Sequence, residues 1–294
     1  MPHGAARSMW GSMPGSDLIR RAFLVGALIC APAILCAEAP RRVVSMNLCT
    51  DQLAMLLAAP GQLVSVSNLA SDPRSSAMAD RARDFPANQG RAEEVYLMQP
   101  DLVLAGTYTA RASVAMLERL GVRVVTFDLT TRLEDVPGQI VQMGDLLGRP
   151  EQAAALAATY TADLKAFQDT VARTPSAALY AANGYTTGAQ SLSGQILLTA
   201  GFANVATEAG YAFGGMMPLE VLVMKAPEAV ITSRPYPGAT NAEAVMHHPA
   251  LRAVQDSRAR GSLADSDWVC GTPYILRAVA DMAALRRRLT TGAP

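Results

Sequence analysis

Histidine is close to absent from this sequence: three of 294 residues, with His247 and His248 adjacent to one another. Adjacent side chains point apart, unlike the i, i+4 pair that grips zinc, so a histidine metal centre has no basis here. Lysine is scarcer still. Lys165 and Lys225 are the whole complement and neither follows a glycine-rich loop, which removes the phosphate-cradling P-loop and with it any ATP hydrolysis by this chain. The serine-rich QSLSG lacks the glycine spacing of a nucleophile elbow, so no covalent hydrolase is indicated. Charge of one sign is lacking too: 25 basic and 25 acidic residues cancel, leaving no basic excess for nucleic acid. Aromatics make up only 5% of the chain, so the place of each one is informative.

What the chain does have is apolar residues, half of the total, enough for one large core or two smaller ones. One long apolar run, AFLVGALICAPAIL, follows Arg20-Arg21 and precedes a small-residue cleavage site at Leu35-Cys36-Ala37. As a helix it would rise about 21 Å, short of a bilayer core of about 30 Å. Residues 1–37 are therefore read as an export signal, by the Sec or the twin-arginine route, with Ile19 standing where the latter usually has Ser or Thr. Ile34-Leu35 are too bulky before Cys36 for a lipid anchor, so a soluble periplasmic protein is expected. Removing the leader takes away Cys30 and Cys36 and leaves Cys49 and Cys270. A disulfide, two unrelated thiols, or a redox or metal pair all remain open.

One stretch occurs twice. EEVYLMQPDLVLAG, residues 93–106, returns as LEVLVMKAPEAVITS, residues 219–233. In the first copy Glu94, Val95, Leu97 and Met98 have the spacing of a short helix. Pro100 ends it, pushing Gln99 towards extended backbone, and residues 102–104 form a buried strand. The second copy repeats the layout from Glu220 through Pro227 to Ile231. Two copies predict two similar lobes, each with a parallel strand behind a helix.

Around the first copy RRVVSMN, LVSVSNL and VRVVTFDL predict further strands. Thr50 or Asp51 is the expected cap of helix QLAMLLA, and RASVAMLERLG is a helix closed by Gly121. These fill an N-terminal α/β lobe over residues 41–132. In the connecting region, 133–174, Leu156, Tyr160, Leu164, Phe167 and Val171 recur at helical steps, predicting one helix of roughly 35 Å from Pro150 to about Ala172. SAALYAANG, SGQILLTAG, the second copy, a strand near SLADSD and the helix YILRAVADMAALRRRL then build a C-terminal lobe, 175–294. The fold class expected is α/β: two Rossmann-like lobes with parallel sheets joined by a single long backbone helix.

In such lobes ligands sit beyond the carboxyl ends of the strands. Those positions carry Asn47, Asn68, Tyr108, Tyr185, Arg234, Tyr236 and Trp268. Aromatic faces with polar tips suit a large, partly apolar, oxygen-rich ligand, although any single loop tyrosine is more simply surface. A binding protein with no catalytic residues is favoured; an exported enzyme with Cys49 and Cys270 as a redox couple is the alternative.

VVSMNLCTDQL, NQGRAEEVYLMQPDLVLAG, LLGRPEQAAALAATY, MPLEVLVMKAPEAVITS and SDWVCGTPYILRAVADM, in that order, resemble the substrate-binding proteins of ABC importers for cobalamin, ferric siderophores and haem. The resemblance runs from Arg41 to Leu289. It implies a periplasmic monomer with no cofactor of its own, delivering a metal chelate to a membrane permease driven by a separate ATPase, with only a small closing motion. It also implies docking of the permease through one surface glutamate per lobe, here Glu94 and Glu220, with Glu93 a neighbouring candidate; the plain alternative is acids favoured by helix dipoles. Trp268 matches a cleft tryptophan of the cobalamin-binding members, while Asn88 and Met216 or Met217 stand where those carry aromatics. Arg91 and Arg234 suit the carboxylates of a ferric siderophore, placed first as cargo, a corrinoid second, and haem third with Tyr108 or Tyr185 as axial ligand.

Overall fold

The computed structural model describes residues 38–167, 171–233, 241–256 and 258–291. Residues 1–37, expected to be an export signal, and the candidates Arg234 and Tyr236 lie outside the described residues.

The N-terminal lobe runs β1 (Val43–Ser45), α1 (Leu48–Leu57), β2 (Leu63–Ser67), α2 (Ala79–Ala82), β3 (Ala87–Asn88), α3 (Ala92–Leu97), β4 (Leu102–Gly106), α4 (Arg111–Arg119) and β5 (Val124–Phe127). Its five strands are parallel in the order β3-β2-β1-β4-β5. Helices α5 (Val136–Leu147) and α6 (Pro150–Phe167) connect it to the second lobe. That lobe runs β6 (Ser176–Leu179), β7 (Tyr185–Thr187), α7 (Leu192–Thr199), β8 (Ala203–Asn204), α8 (Val205–Glu208), β9 (Gly214–Met216), α9 (Leu219–Lys225), β10 (Ala229–Ser233), α10 (Pro249–Asp256), β11 (Ala259–Leu263) and α11 (Ile275–Thr291). Its main sheet is parallel, β11-β10-β6-β8.

The central strands of both sheets, β1, β4, β6 and β10, are largely buried on both faces, which is why they read as mainly apolar runs, while edge strands such as β5 and β11 are partly exposed. Alternate residues divide between faces: Val43, Leu102 and Leu104 join one cluster, Val44 and Val103 another. Ala177, Leu179, Ala229 and Ile231 likewise face one way, Ala178, Tyr180 and Val230 the other. The largest cluster is shared, passing from the N-terminal sheet through Leu133, Ile140, Met143 and Tyr160 into the C-terminal sheet and α11. Tyr160, buried, donates its hydroxyl to Leu133 O at 3.0 Å and pins α6 to the start of the connection. One continuous core therefore spans the joint between the lobes.

Several local expectations change. The expected long helix starts at Pro150 as α6, but a second helix precedes it: Gly148 at φ 68° closes α5 in the left-handed conformation and lets α6 fold back along it. Helix α6 is described over 18 residues, about 27 Å. Gln99 leaves the helix for left-handed backbone at φ 50°, not extended backbone. Helix α1 is capped by Asn47, whose Oδ1 accepts from Cys49 N at 3.0 Å; Thr50 and Asp51 lie inside it. Strand β11 begins at Ala259, so only the opening of SLADSD belongs to it. The short β7 and β9 pair antiparallel, which apolar patterning over three residues does not encode.

Candidate functional site

In the N-terminal sheet the chain leaves β1 towards β2 and β3, then returns to the other side of β1 as β4. The reversal opens a crevice between the carboxyl ends of β1 and β4. Asn47 follows β1 there, and Gly106 ends β4, with Thr107 and Tyr108 after it. The two sides meet so closely that a Cβ on Gly106 would lie 2.7 Å from Asn47 Nδ2. A recess of about 70 Å³ occupies this point, lined among others by Asn47, Thr107, Tyr108, Asp128, Thr130 and Gln139.

The second sheet repeats the device. Its order reverses between β6 and β10, and a recess of about 40 Å³ lies at their carboxyl ends, lined by Tyr180, Tyr185, Thr187, Ser193, Ser233 and Trp268 among others. Neither recess alone reaches the roughly 300–1,000 Å³ of a ligand-sized site. A third, more open hollow of about 510 Å³ separates residues 73–81 of the first lobe from Ser266, Asp267, Tyr274 and Arg277 of the second. Between the recesses runs the segment after β11. Trp268 lines the C-terminal recess, Val269 and Gly271 line the N-terminal one, and Cys270 between them is disulfide-bonded to Cys49, 221 residues earlier, with Cα atoms 5.1 Å apart.

The structure thus brings Asn47 and Tyr108 to one recess and Tyr185 and Trp268 to the other. Tyr185 pairs with Met216 across β7 and β9, and both side chains are exposed. Asn68 and Arg91 are exposed at the ends of β2 and β3 and line neither recess. Asn88 is not a cleft residue: fully buried, its Nδ2 donates to Ser45 O, Ser65 Oγ and Val66 O, each at 2.9 Å. Asp128 and Thr130 were missed, although Asp128 is the penultimate residue of the predicted strand VRVVTFDL and Thr130 follows it directly, as were Ser193 and Ser233. Among the described residues, Asp128 is the one ionisable carboxylate or base lining either recess besides the tyrosines. Among the described residues there is no group of three His, Cys, Asp or Glu side chains able to hold a metal.

Under the first recess lies a buried polar layer. Asp51, fully buried on α1, accepts from Ser67 N at 3.1 Å and is 2.5 Å from Ser67 Oγ, while Ser45 Oγ and Thr50 Oγ1 are 2.7 Å apart. Burial pushes the Asp51 carboxyl up to about 7, against the opposing pull of hydrogen bonds from Ser45 and Ser67. These contacts tie α1 to the ends of β1 and β2 and so fix the backbone from which Asn47 and Asn68 project.

The repeated stretch is a repeat in space as well. Counted from Pro100 and Pro227, Glu93 corresponds to Glu220, Val95 to Leu222, Leu97 to Met224 and Gln99 to Ala226. Glu93 and Glu220 are each the second residue of their helix and exposed, and Val95 and Leu222 are fully buried. Leu97 is 81% exposed and Met224 75%, and Gln99 and Ala226 share left-handed backbone. Asp101 accepts from Arg41 N and Arg42 N at 2.7 and 3.0 Å; its counterpart Glu228 accepts from Ser176 N at 3.1 Å. Each acid thus secures the start of the strand next to its own. Glu94 turns back to accept from Gln89 N at 2.8 Å.

Two α/β lobes that share a core and face each other with the switch points of their sheets define a two-lobed solute-binding protein. The chain belongs to the periplasmic binding protein family, whose pattern matches residues 43–259, and the family consists of solute-binding components of ABC importers rather than enzymes. A cobalamin-binding protein of Halobacterium salinarum is 27% identical over 205 residues, 68% of this chain; the match spans 56%, little more than half, of that relative's length. Among solved structures, the periplasmic heme-binding protein RhuT from Roseiflexus sp. RS-1 superposes with a TM-score of 0.71 at 19% identity, covering 85% of this chain and 98% of that one. The periplasmic vitamin B12 binding protein BtuF of Vibrio cholerae gives 0.64 at 18% identity, covering 86% and 98%. These likenesses establish the fold. No helix among the described residues is long and apolar enough to cross a membrane.

Proposed function

We propose that this chain captures a metal chelate of corrinoid type between its lobes in the periplasm and hands it to an ABC permease. The observation that carries the cargo class is the lining of the two recesses: amide, hydroxyl and aromatic groups with a single carboxylate, Asp128, and no cation among the described lining residues. Such a surface offers hydrogen bonds to the peripheral amides of a corrinoid and stacking faces to its macrocycle. A polyanionic chelate would find a carboxylate where it needs a guanidinium. The named function of the Halobacterium relative agrees with this reading. A ferric siderophore is the second reading, favoured by exposed Arg91 at the first lobe's rim.

Docking is proposed through the exposed acids of the two repeated helices. Glu220 serves the C-terminal lobe. On the N-terminal lobe Glu93 is the in-register counterpart, since the Glu94 carboxylate already holds Gln89 N. Equivalent acids with equivalent exposed apolar neighbours, Leu97 and Met224, suit a partner presenting the same socket twice, where long-range charge sets orientation and the apolar contacts add burial.

Trp268 is the only tryptophan after the leader, so the cargo reading has a direct assay. Cyanocobalamin, ferric siderophores and haemin are titrated against its fluorescence, with calorimetry as the second method. Saturable binding of the corrinoid at micromolar affinity or tighter is expected. Silence towards every chelate by both methods would remove the reading, and binding of a ferric siderophore alone would replace it with the second.

A further inference from the structure

We infer that the Cys49–Cys270 disulfide is a positioning element of the cargo site, one that makes the Trp268 segment part of the N-terminal lobe's wall although it follows the last strand of the C-terminal sheet. The inference rests on the cleft being the cargo site.

Cys49 is the second residue of α1, two positions beyond Asn47 at the first switch point. Cys270, buried, is two positions beyond Trp268. The covalent bond therefore joins the neighbour of one cleft residue to the neighbour of another, across the joint between lobes. Steric fit acts in the same direction. Gly271 lies against Thr130, just after β5 of the first lobe, so closely that a Cβ there would sit 2.5 Å from Thr130 Cβ. Within the segment, Trp268 Nε1 donates to Asp265 Oδ1 at 3.2 Å, Val269 N to Asp265 O at 3.1 Å and Thr272 N to Cys270 O at 2.9 Å, so it moves as a unit.

The consequence concerns which gap opens. With Val269, Cys270 and Gly271 fastened to the first lobe, the recess containing Asn47 and Tyr108 keeps its shape. The interface that changes as the lobes move is the one between Trp268 and the strand ends at Tyr185, Thr187 and Ser233. The same fastening restricts the excursion of the lobes, beyond what the packed α5 and α6 already impose.

The test uses the intact mature protein. Tris(2-carboxyethyl)phosphine attacks one sulfur and breaks the S–S bond; water then supplies the oxygen of the phosphine oxide and the protons of the two thiols. Native protein, reduced protein and the Cys49→Ser/Cys270→Ser variant are compared by far-UV circular dichroism, acrylamide quenching and anisotropy of Trp268, and calorimetry with cyanocobalamin and haemin. Gly271→Ala, which keeps the disulfide but presses the segment off Thr130, provides a second perturbation should the reduced protein unfold.

Unchanged dichroism with an about twofold rise in quenching and a fall in anisotropy is expected, as is an about tenfold loss of affinity for whichever probe binds, with both restored on reoxidation. Gly271→Ala should shift Trp268 in the same direction. Two titratable thiols with Trp268 quenching and affinity both unchanged, together with a silent Gly271→Ala, overturn the inference. Loosening of Trp268 in a protein that binds no chelate in any state supports the positioning role and rejects the cargo reading instead.

Discussion

Asp51 allows the sharpest test of the buried layer beneath the cleft. A carboxyl held near 7 instead of its ordinary 3.8 is displaced by about three pH units, equivalent to about 4 kcal/mol between its protonated and ionised forms. The folded value is raised, so the folded chain binds the proton more tightly than the unfolded one. The stability this confers is complete below about pH 4 and is lost as pH rises towards and through about 7. Asp51→Asn imitates the protonated acid: its carbonyl accepts from Ser67 N and its amide donates to Ser67 Oγ. The assay is urea denaturation of both proteins at intervals from pH 5 to 8. All other titrating groups are shared, so the difference between the two curves isolates Asp51. Wild type should lose roughly 2–3 kcal/mol relative to Asp51→Asn over that interval, and the variant should be the more stable protein at pH 8. Parallel curves would refute the reasoning, showing that the Ser67 donors hold Asp51 ionised throughout and that burial does not dominate.

Two further predictions concern function. Glu93→Lys with Glu220→Lys should abolish delivery in reconstituted transport while leaving calorimetric chelate affinity unchanged, whereas Glu94→Gln, whose side-chain oxygen still accepts from Gln89 N, should change stability by less than about 1 kcal/mol and leave delivery intact. Equal transport defects from Glu94→Gln and the double reversal would return the docking role to Glu94. Gly106→Ala should displace the Asn47 side chain from its cap, costing about 1–3 kcal/mol in denaturation and weakening chelate binding; an unaltered affinity would show that Asn47 is a helix cap and nothing more.

The lobes were legible because their signals are local. The mostly apolar stretches at residues 43–45, 102–105 and 229–231 are strands buried on both faces, and Pro100 and Pro227 end their helices in any context. The duplication itself could be read from the letters, and the sites after β1, β4, β6 and β11 followed from the rule that parallel sheets bind at their carboxyl ends. What stayed illegible depends on contacts between distant segments or on offsets of one residue. Asn47, Thr50 and Asp51 are all good caps by composition; packing of α1 against β2 puts Asp51 beside Ser67 and leaves Asn47 at the helix start. Glu93 and Glu94 are interchangeable in a helical pattern until the helix is known to begin at Ala92. Asn88 looks like a polar strand-end residue, yet three acceptors from β1 and β2 draw it inside.

By itself, then, the sequence determined two α/β lobes, a helical connection and the strand ends proposed to hold a ligand, because periodicity and proline chemistry act within a few residues. The tertiary structure alone decided the order of strands, and hence the two switch points. It also decided which neighbour of an adjacent pair faces solvent, and that the segment carrying Trp268 is bound to the opposite lobe. Those outcomes depend on which surfaces meet once the chain has closed on itself, and no local pattern of side chains specifies them.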